Sequence, residues 1–328
     1  MKENTSNANS LTKTVDIQSV FEQENQIDGT SKNKELFVNA STLLARCIED
    51  IPCLLYPIFP KVGLIALAGS SDTGKSSLLR QFAISIAAKK ETFIGFRVQA
   101  EHNRVLYIST EDDETATAYL LTKANHKMQI NREDYDGLIY LFEVTDPAKQ
   151  IREYLDKHSC DAIIIDAFTD VYGGSMNESN KVRVFLNQFS QIAQHYQCLV
   201  IFLHHSGKRT EQNLPSKHNL LGSQGFEAKM RFVAELRLDN MNLDLRHLCI
   251  VKANYLGRQH KNESYVLRMD ENQTFDFTGD RIDFEELREN PNKSLVETAK
   301  EMHKNGKTQS EISKELNKDQ STISRWLR

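Results

Sequence analysis

The sequence predicts an α/β protein: a mostly parallel sheet with antiparallel edge strands, followed by a small all-α domain. Three observations carry that reading. Apolar, β-branched runs at Leu64–Ala68, Arg104–Thr110, Leu138–Val144, Ala162–Asp166 and Leu199–Leu203 alternate with helical patterns at Ser76–Lys89, Asp113–His126, Ala148–His158 and Glu178–His195. Strands that are apolar on both faces and separated by helices form parallel sheets covered on each side. After Gly222 the spacing shortens. Val233–Leu238, Leu248–Val251 and Tyr265–Met269 alternate and follow one another closely, which predicts antiparallel strands added at the sheet edge. The last stretch, residues 293–328, carries only helical patterns.

Taken in order, residues 1–34 are rich in Asn, Ser, Thr, Lys, Gln and Glu and read as a disordered polar tail. Leu43, Leu44, Ile48 and Ile51 then predict a helix, and Leu54–Pro60 a proline-bounded connection into the first strand. The main domain is expected over residues 35–277. A linker with Gly279, Asp280, Asn290, Pro291 and Asn292 follows over 278–292, then the helical domain over 293–328. With 328 residues, 39% apolar and 26% charged, the chain can bury a sizeable core. A net charge of −4 argues against wholesale coating of nucleic acid but leaves room for local basic patches. Cys47, Cys53, Cys160, Cys198 and Cys249 lack metal-ligand spacing and read as small, mostly core residues in a reducing compartment. No apolar run approaches the roughly 18 residues that span a bilayer, so a cytoplasmic location is expected.

The chemistry starts at Gly69-Ser70-Ser71-Asp72-Thr73-Gly74-Lys75-Ser76-Ser77, set between an apolar strand and an amphipathic helix. Gly69 and Gly74 lack the Cβ that would stop the backbone closing around a phosphate. Successive N–H groups form an anion nest, and the helix adds its positive N-terminal dipole. The spacing predicts that Lys75 reaches the β- and γ-phosphates of ATP and that Ser76 ligates Mg²⁺. Asp72 puts a negative charge into a loop built for anions, so its side chain should splay outward.

Three strand ends add to this. Asp166 closes an apolar strand, as a Mg²⁺-site carboxylate or as a simple turn or helix cap. Glu111 follows the Arg104–Thr110 run, read as a strand beside the phosphate loop, and could accept a proton from an attacking water. Asp112 and Asp113 offer the same chemistry, or all three acids could start a helix. His204 and His205 end the fourth apolar strand, as metal ligands, as a γ-phosphate sensor at His205, or as strand-end caps.

Phosphate loop, Glu-ended strand, Asp-ended strand and His-His-x-x-Lys, in that order, resemble the RecA-type ATPase core. More closely they resemble the plasmid replicative helicase RepA group. Gly222-Ser-Gln-Gly-Phe-Glu-Ala-Lys-Met-Arg231 and Val251-Lys-Ala-Asn-Tyr255 are similar to segments of that group, and the likeness spans about residues 36–275. The resemblance implies a hexameric ring that couples ATP hydrolysis to movement along single-stranded DNA, in replication of a plasmid, phage or mobile element. It casts Glu111 as the catalytic carboxylate, Asp166 as the magnesium-site Asp and His205 as the γ-phosphate sensor. Arg231 becomes a finger reaching the neighbouring subunit's nucleotide, against the plainer reading of an ion pair with Glu227. Pore loops fall at Ala167–Asn180 and Ser206–Leu221; the second carries Lys208, Arg209 and Lys217, and the first Tyr172 as its stacking aromatic.

The C-terminus departs from that group. Thr308–Arg328 resembles a helix-turn-helix, with Ile312, Leu316, Ile323 and Trp326 sharing a core, Ser313 allowing close approach and Asp319 capping the second helix. Residues 293–328 hold eight Lys or Arg against five Asp or Glu, a net of +3. Gln320, Ser321, Thr322, Ser324 and Arg325 would face the major groove of duplex DNA, unless the hairpin serves protein contact. An ATP-switched DNA-binding regulator or initiator without unwinding activity is the alternative for the whole chain.

Overall fold

The computed structural model describes residues 37–207, 213–220, 224–287 and 293–327. The expected polar tail lies outside them. The chain divides into two units, Met1–Asp50 and Ile51–Arg328. In the first, Asn39 accepts from the Thr42 amide and caps a short helix, Ala40–Leu44.

The second unit begins with β1 (Cys53–Tyr56) and β2 (Phe59–Pro60), where the sequence predicts only a connection. Apolar residues explain the difference. Leu54, Leu55 and Phe59 are buried, and Phe59 packs edge-on against Phe82 and Phe232. The phosphate-loop strand β3 (Gly63–Gly69) follows, then its helix Lys75–Ala87. Two short strands, β4 (Thr92–Phe93) and β5 (Phe96–Val98), close a four-stranded sheet in the order β2-β1-β5-β4.

The main sheet adds β6 (Val105–Ser109), β7 (Leu138–Leu141), β8 (Ala162–Asp166) and β9 (Leu199–His205). It ends with β10 (Phe232–Leu238), β11 (Leu245–Ala253), β12 (Glu263–Met269) and β13 (Phe275–Asp283). The order is β13-β12-β11-β10-β3-β9-β8-β6-β7. Strands β10, β3, β9, β8, β6 and β7 are parallel, and the remaining three are antiparallel.

Three expectations change here. Strand β10 is parallel to β3, not part of the antiparallel edge, because helix Gln224–Lys229 returns the chain before Phe232. The antiparallel run starts one strand later, where short turns take over. Strand β6 is not beside the phosphate-loop strand; β9 and β8 lie between them. Residues 278–283, read as linker, continue β13. This outermost strand is half solvated, so its composition looks like linker, yet it pairs with β12 from Glu263↔Asp283 to Met269↔Phe275.

Alternation along the central strands fills two layers. Ile65 and Leu67 join Phe82, Ile201 and Phe232 on one face. Leu64 and Ala66 join Ile163, Ile165, Val200 and Phe202 on the other, under helices Pro147–Leu155 and Ser179–Tyr196. In the latter helix Val182, Leu186, Phe189 and Ile192 are buried at spacings of three and four, which is why that stripe faces the sheet.

At the C-terminus, helices Lys293–Lys304, Gln309–Glu315 and Gln320–Trp326 share a small core of Ala299, Ile312 and Ile323, with Leu316 and Trp326 half-buried against it. Ser313 donates to the Lys318 carbonyl at 2.6 Å inside the turn. Asp319 occupies the N-cap position but its side chain makes no cap hydrogen bond. The capping box sits one helix earlier, between Thr308 and Glu311.

Candidate nucleotide site

Register brings the chemistry to one sheet edge. Gly69 aligns with His205 across β3 and β9, and Ser109 aligns with Asp166 across β6 and β8. The C-terminal edge of an open parallel sheet is where ligands of such folds bind. A cavity of about 530 Å³ opens there, lined by Ser71, Asp72, Gly74, Lys75, Ser76 and Ser77 of the loop and its helix. Glu111, Asp112 and His205 close its other side.

The loop's shape has covalent and tertiary causes. A Cβ on Gly69 would fall 2.4 Å from the Leu236 carbonyl oxygen, and Gly74 takes φ +89° with Phe275 Cζ 2.8 Å from where a Cβ would be. Ser70 takes the Thr73 hydroxyl and the Lys75 ammonium on its carbonyl, at 3.1 and 2.6 Å. Asp72 is exposed, as its charge requires, while Thr73 is buried behind it. Burial pushes the Lys75 ammonium below its usual range, against the pull of Asp166, Glu111 and Asp72.

Asp166 is buried and accepts from the fully buried Tyr107 hydroxyl through Oδ2 at 2.7 Å. Burial raises its pKa, opposed by hydrogen bonds from Tyr107 and Ser76. Its Oδ1 has no hydrogen-bond partner. A buried, unpartnered carboxylate oxygen beside the Ser76 hydroxyl fits a hard divalent cation, so these residues suit Mg²⁺.

The three consecutive acids separate into different tasks. Asp113 caps helix Glu114–Met128 by accepting from Ala116 N at 2.7 Å. Asp112 pairs with Arg80 at 3.2 Å. Glu111 faces the cavity, its Oε1 3.2 Å from His205 Nε2. The two histidines separate as well. His204 is buried, stacked on Phe226 at 4.4 Å, whereas His205 turns to the cavity. Among the described residues no three His, Cys, Asp or Glu side chains group as a metal centre.

Arg231 is not brought to this cavity. It sits just before β10 at the opposite edge, where its amide donates to the Leu64 carbonyl at 2.9 Å. Five residues of β3 separate that level from Gly69, roughly 16 Å at strand rise. Its guanidinium donates to the Tyr255 hydroxyl at 2.9 Å rather than pairing with Glu227, which takes Lys252 at 2.8 Å and Lys217 at 3.5 Å. Lys208 and Arg209 lie outside the described residues. Tyr172, read as a stacking aromatic, is buried 5.6 Å from Phe168 in a stacked pair, because the short helix Phe168–Val171 turns it into the core. In the last helix Gln320 and Ser321 are exposed, Thr322 and Ser324 are half-buried, and Arg325 lies on the same helix.

Sequence reasoning missed the parts that hold the loop from outside. Gln81 brackets the Phe275 backbone with both amide atoms, and the Ser77 hydroxyl donates to Gln273 at 3.2 Å, which fastens the β12–β13 hairpin to the phosphate-loop helix. Arg246, buried on β11, donates to the Thr73 carbonyl at 3.0 Å and to Leu243 and Leu245 carbonyls. A charge on an otherwise apolar strand is the only trace it leaves in the sequence. Arg246→Ala should weaken nucleotide binding about tenfold, since a lost charged hydrogen bond costs about 1.5–3 kcal/mol. Titration with a fluorescent ATP analogue reads this, and unchanged affinity would show that the loop keeps its shape without Arg246.

Fold and cavity together define a phosphate-loop nucleotide-binding protein of the RecA-like α/β class. Residues 34–211 match the AAA_25 family, described as an AAA domain. That span exceeds half of the 328 residues, and the chain belongs to the AAA_25 family. Among solved structures it is similar to the ATPase domain of a replicative helicase, with a TM-score of 0.53 and 12% identity, over 72% of this chain and 95% of that one. It is also similar to a KaiC-like protein from the hyperthermophilic archaeon Pyrococcus horikoshii OT3, with a TM-score of 0.50 and 16% identity, over 68% of this chain and 93% of that one. No curated protein matches the chain. No helix among the described residues is long and apolar enough to cross a membrane.

Proposed function

We propose that the chain is an ATP hydrolase of the RepA-like hexameric helicase type, moving along DNA during replication of a plasmid, phage or mobile element. The observation that carries the hydrolase reading is the meeting of Glu111 and His205 across a cavity floored by Lys75, Ser76 and Asp166. Glu111 takes the proton of a water that attacks the γ-phosphorus, the bond to the bridging oxygen breaks, and ADP and phosphate leave. Lys75 supplies positive charge to the β- and γ-phosphates, and His205 reports the γ-phosphate to the strand it ends. Mg²⁺, held by Ser76 and Asp166, neutralises charge developing on the phosphate oxygens when bound.

The ring reading draws on the resemblance and on Arg231, whose place far from its own cavity suits a residue that serves a neighbour's. Electron microscopy with a non-hydrolysable ATP analogue and single-stranded DNA should show closed rings threaded by the strand. A chain that stays monomeric under those conditions removes the ring and the finger together.

The C-terminal helices support a second reading, an ATP-switched regulator or initiator that binds duplex DNA through helix Gln320–Trp326. Deleting residues 293–328 separates the two. The helicase reading expects unwinding of a forked substrate to survive in part; the regulator reading expects sequence-specific duplex binding to vanish and no unwinding in either form.

A further inference from the structure

We propose that Arg80 and Asp112 are a positioning pair that fixes Glu111 against the phosphate-loop helix; this rests on the hydrolase reading above. Arg80 lies one helical turn after Ser76, among Leu79, Phe82 and Ala83 on a helix that buries most of its surface. Its side chain is 6% exposed. An apolar residue would fill that position without the cost of burying a guanidinium, which is tolerated only when the charge is paired. The partner it finds is Asp112, the residue next to Glu111.

Every other link of that short segment is also tied down. The Ser109 hydroxyl donates to the Asp112 carbonyl at 2.9 Å. Thr110 donates through its hydroxyl to the Asp166 carbonyl at 2.9 Å and accepts from the Ala167 amide at 3.0 Å. Asp113 is held as a helix cap. Glu111 alone, from Ser109 through Asp113, reaches across the cavity, to His205. The Arg80 to Asp112 bond is the one link in this set that joins the Glu111 segment to the phosphate-loop helix, and so sets the carboxylate's distance from the cradle. Arg80 also favours the ionised form of Asp166, and so supports a third carboxylate where Glu111 opposes it. A misplacement of about 1 Å at a reacting group lowers rate by roughly 10²-fold.

The test uses the full chain and the variants Arg80→Gln, Arg80→Lys, Asp112→Asn and the double Arg80→Gln/Asp112→Asn, each measured for kcat, KM and affinity for a fluorescent ATP analogue. Each neutralising single variant should lower kcat by about 10²-fold with affinity unchanged. The double variant should be no worse than the worse single one, because both remove the same link. Arg80→Lys should recover part of the loss. The Asp112 side chain is 37% exposed, so Asp112→Asn keeps the test open if the buried Arg80 variants fail to fold. Full turnover in Asp112→Asn, or a loss of affinity with kcat kept, overturns the positioning role. A wild-type chain that binds ATP without turning it over overturns the hydrolase reading and the positioning role with it.

Discussion

Glu111→Gln should lower ATP turnover by 10²–10⁴-fold while leaving nucleotide affinity unchanged. That range is what a positioned general base contributes. The substitution keeps the side chain's length and its capacity to accept from His205, and removes only its basicity. Of the three acids at this corner, Asp113 is spent on a helix cap and Asp112 on Arg80, so neither neighbour can take over the proton. Asp166 is a poor substitute. It is buried, and the Tyr107 hydroxyl already occupies Oδ2. The measurement is single-turnover hydrolysis beside a binding titration. Turnover within a few-fold of wild type would remove Glu111 from the reaction, and a parallel loss of affinity would show that it acts on the bound nucleotide's charge instead.

Much of this corner is legible in the chain because it is local. A phosphate loop is a contiguous run whose glycines are dictated by backbone geometry, and an apolar strand ending in Asp166 announces both its burial and its carboxylate. What is not legible is adjacency across long sequence separations. Nothing near residue 110 shows that β9 and β8 come between β6 and β3, since each parallel strand looks equally apolar whichever neighbour it takes. The supports from Arg246 and Gln273 reach the loop from more than 170 residues away, so no spacing rule could find them. Glu111, Asp112 and Asp113 carry the same carboxylate chemistry in the sequence and differ only in what each one meets. Strand β13 was hidden for a different reason: an outermost strand is half solvated, and polar residues there look like a linker.

Arg231→Ala should lower hydrolysis by 10³–10⁵-fold, about 4–7 kcal/mol, while the cavity still binds nucleotide. This is the magnitude an inserted guanidinium supplies in phosphoryl transfer, and it is expected from a side chain that lies roughly 16 Å along β3 from its own phosphate loop. A residue so placed has little leverage on the cavity of its own chain; in isolation its substitution should alter only a hydrogen bond to Tyr255. The two situations separate by mixing. Arg231→Ala subunits keep an intact Glu111, and Glu111→Gln subunits keep an intact guanidinium. If active sites form between subunits, some interfaces in a mixed assembly join a working cavity to a working finger, and hydrolysis should reappear from two inactive preparations. Activity that stays at the level of the weaker parent after subunit exchange would confine Arg231 to its own chain. Full activity of Arg231→Ala alone would reduce it to the surface partner of Tyr255.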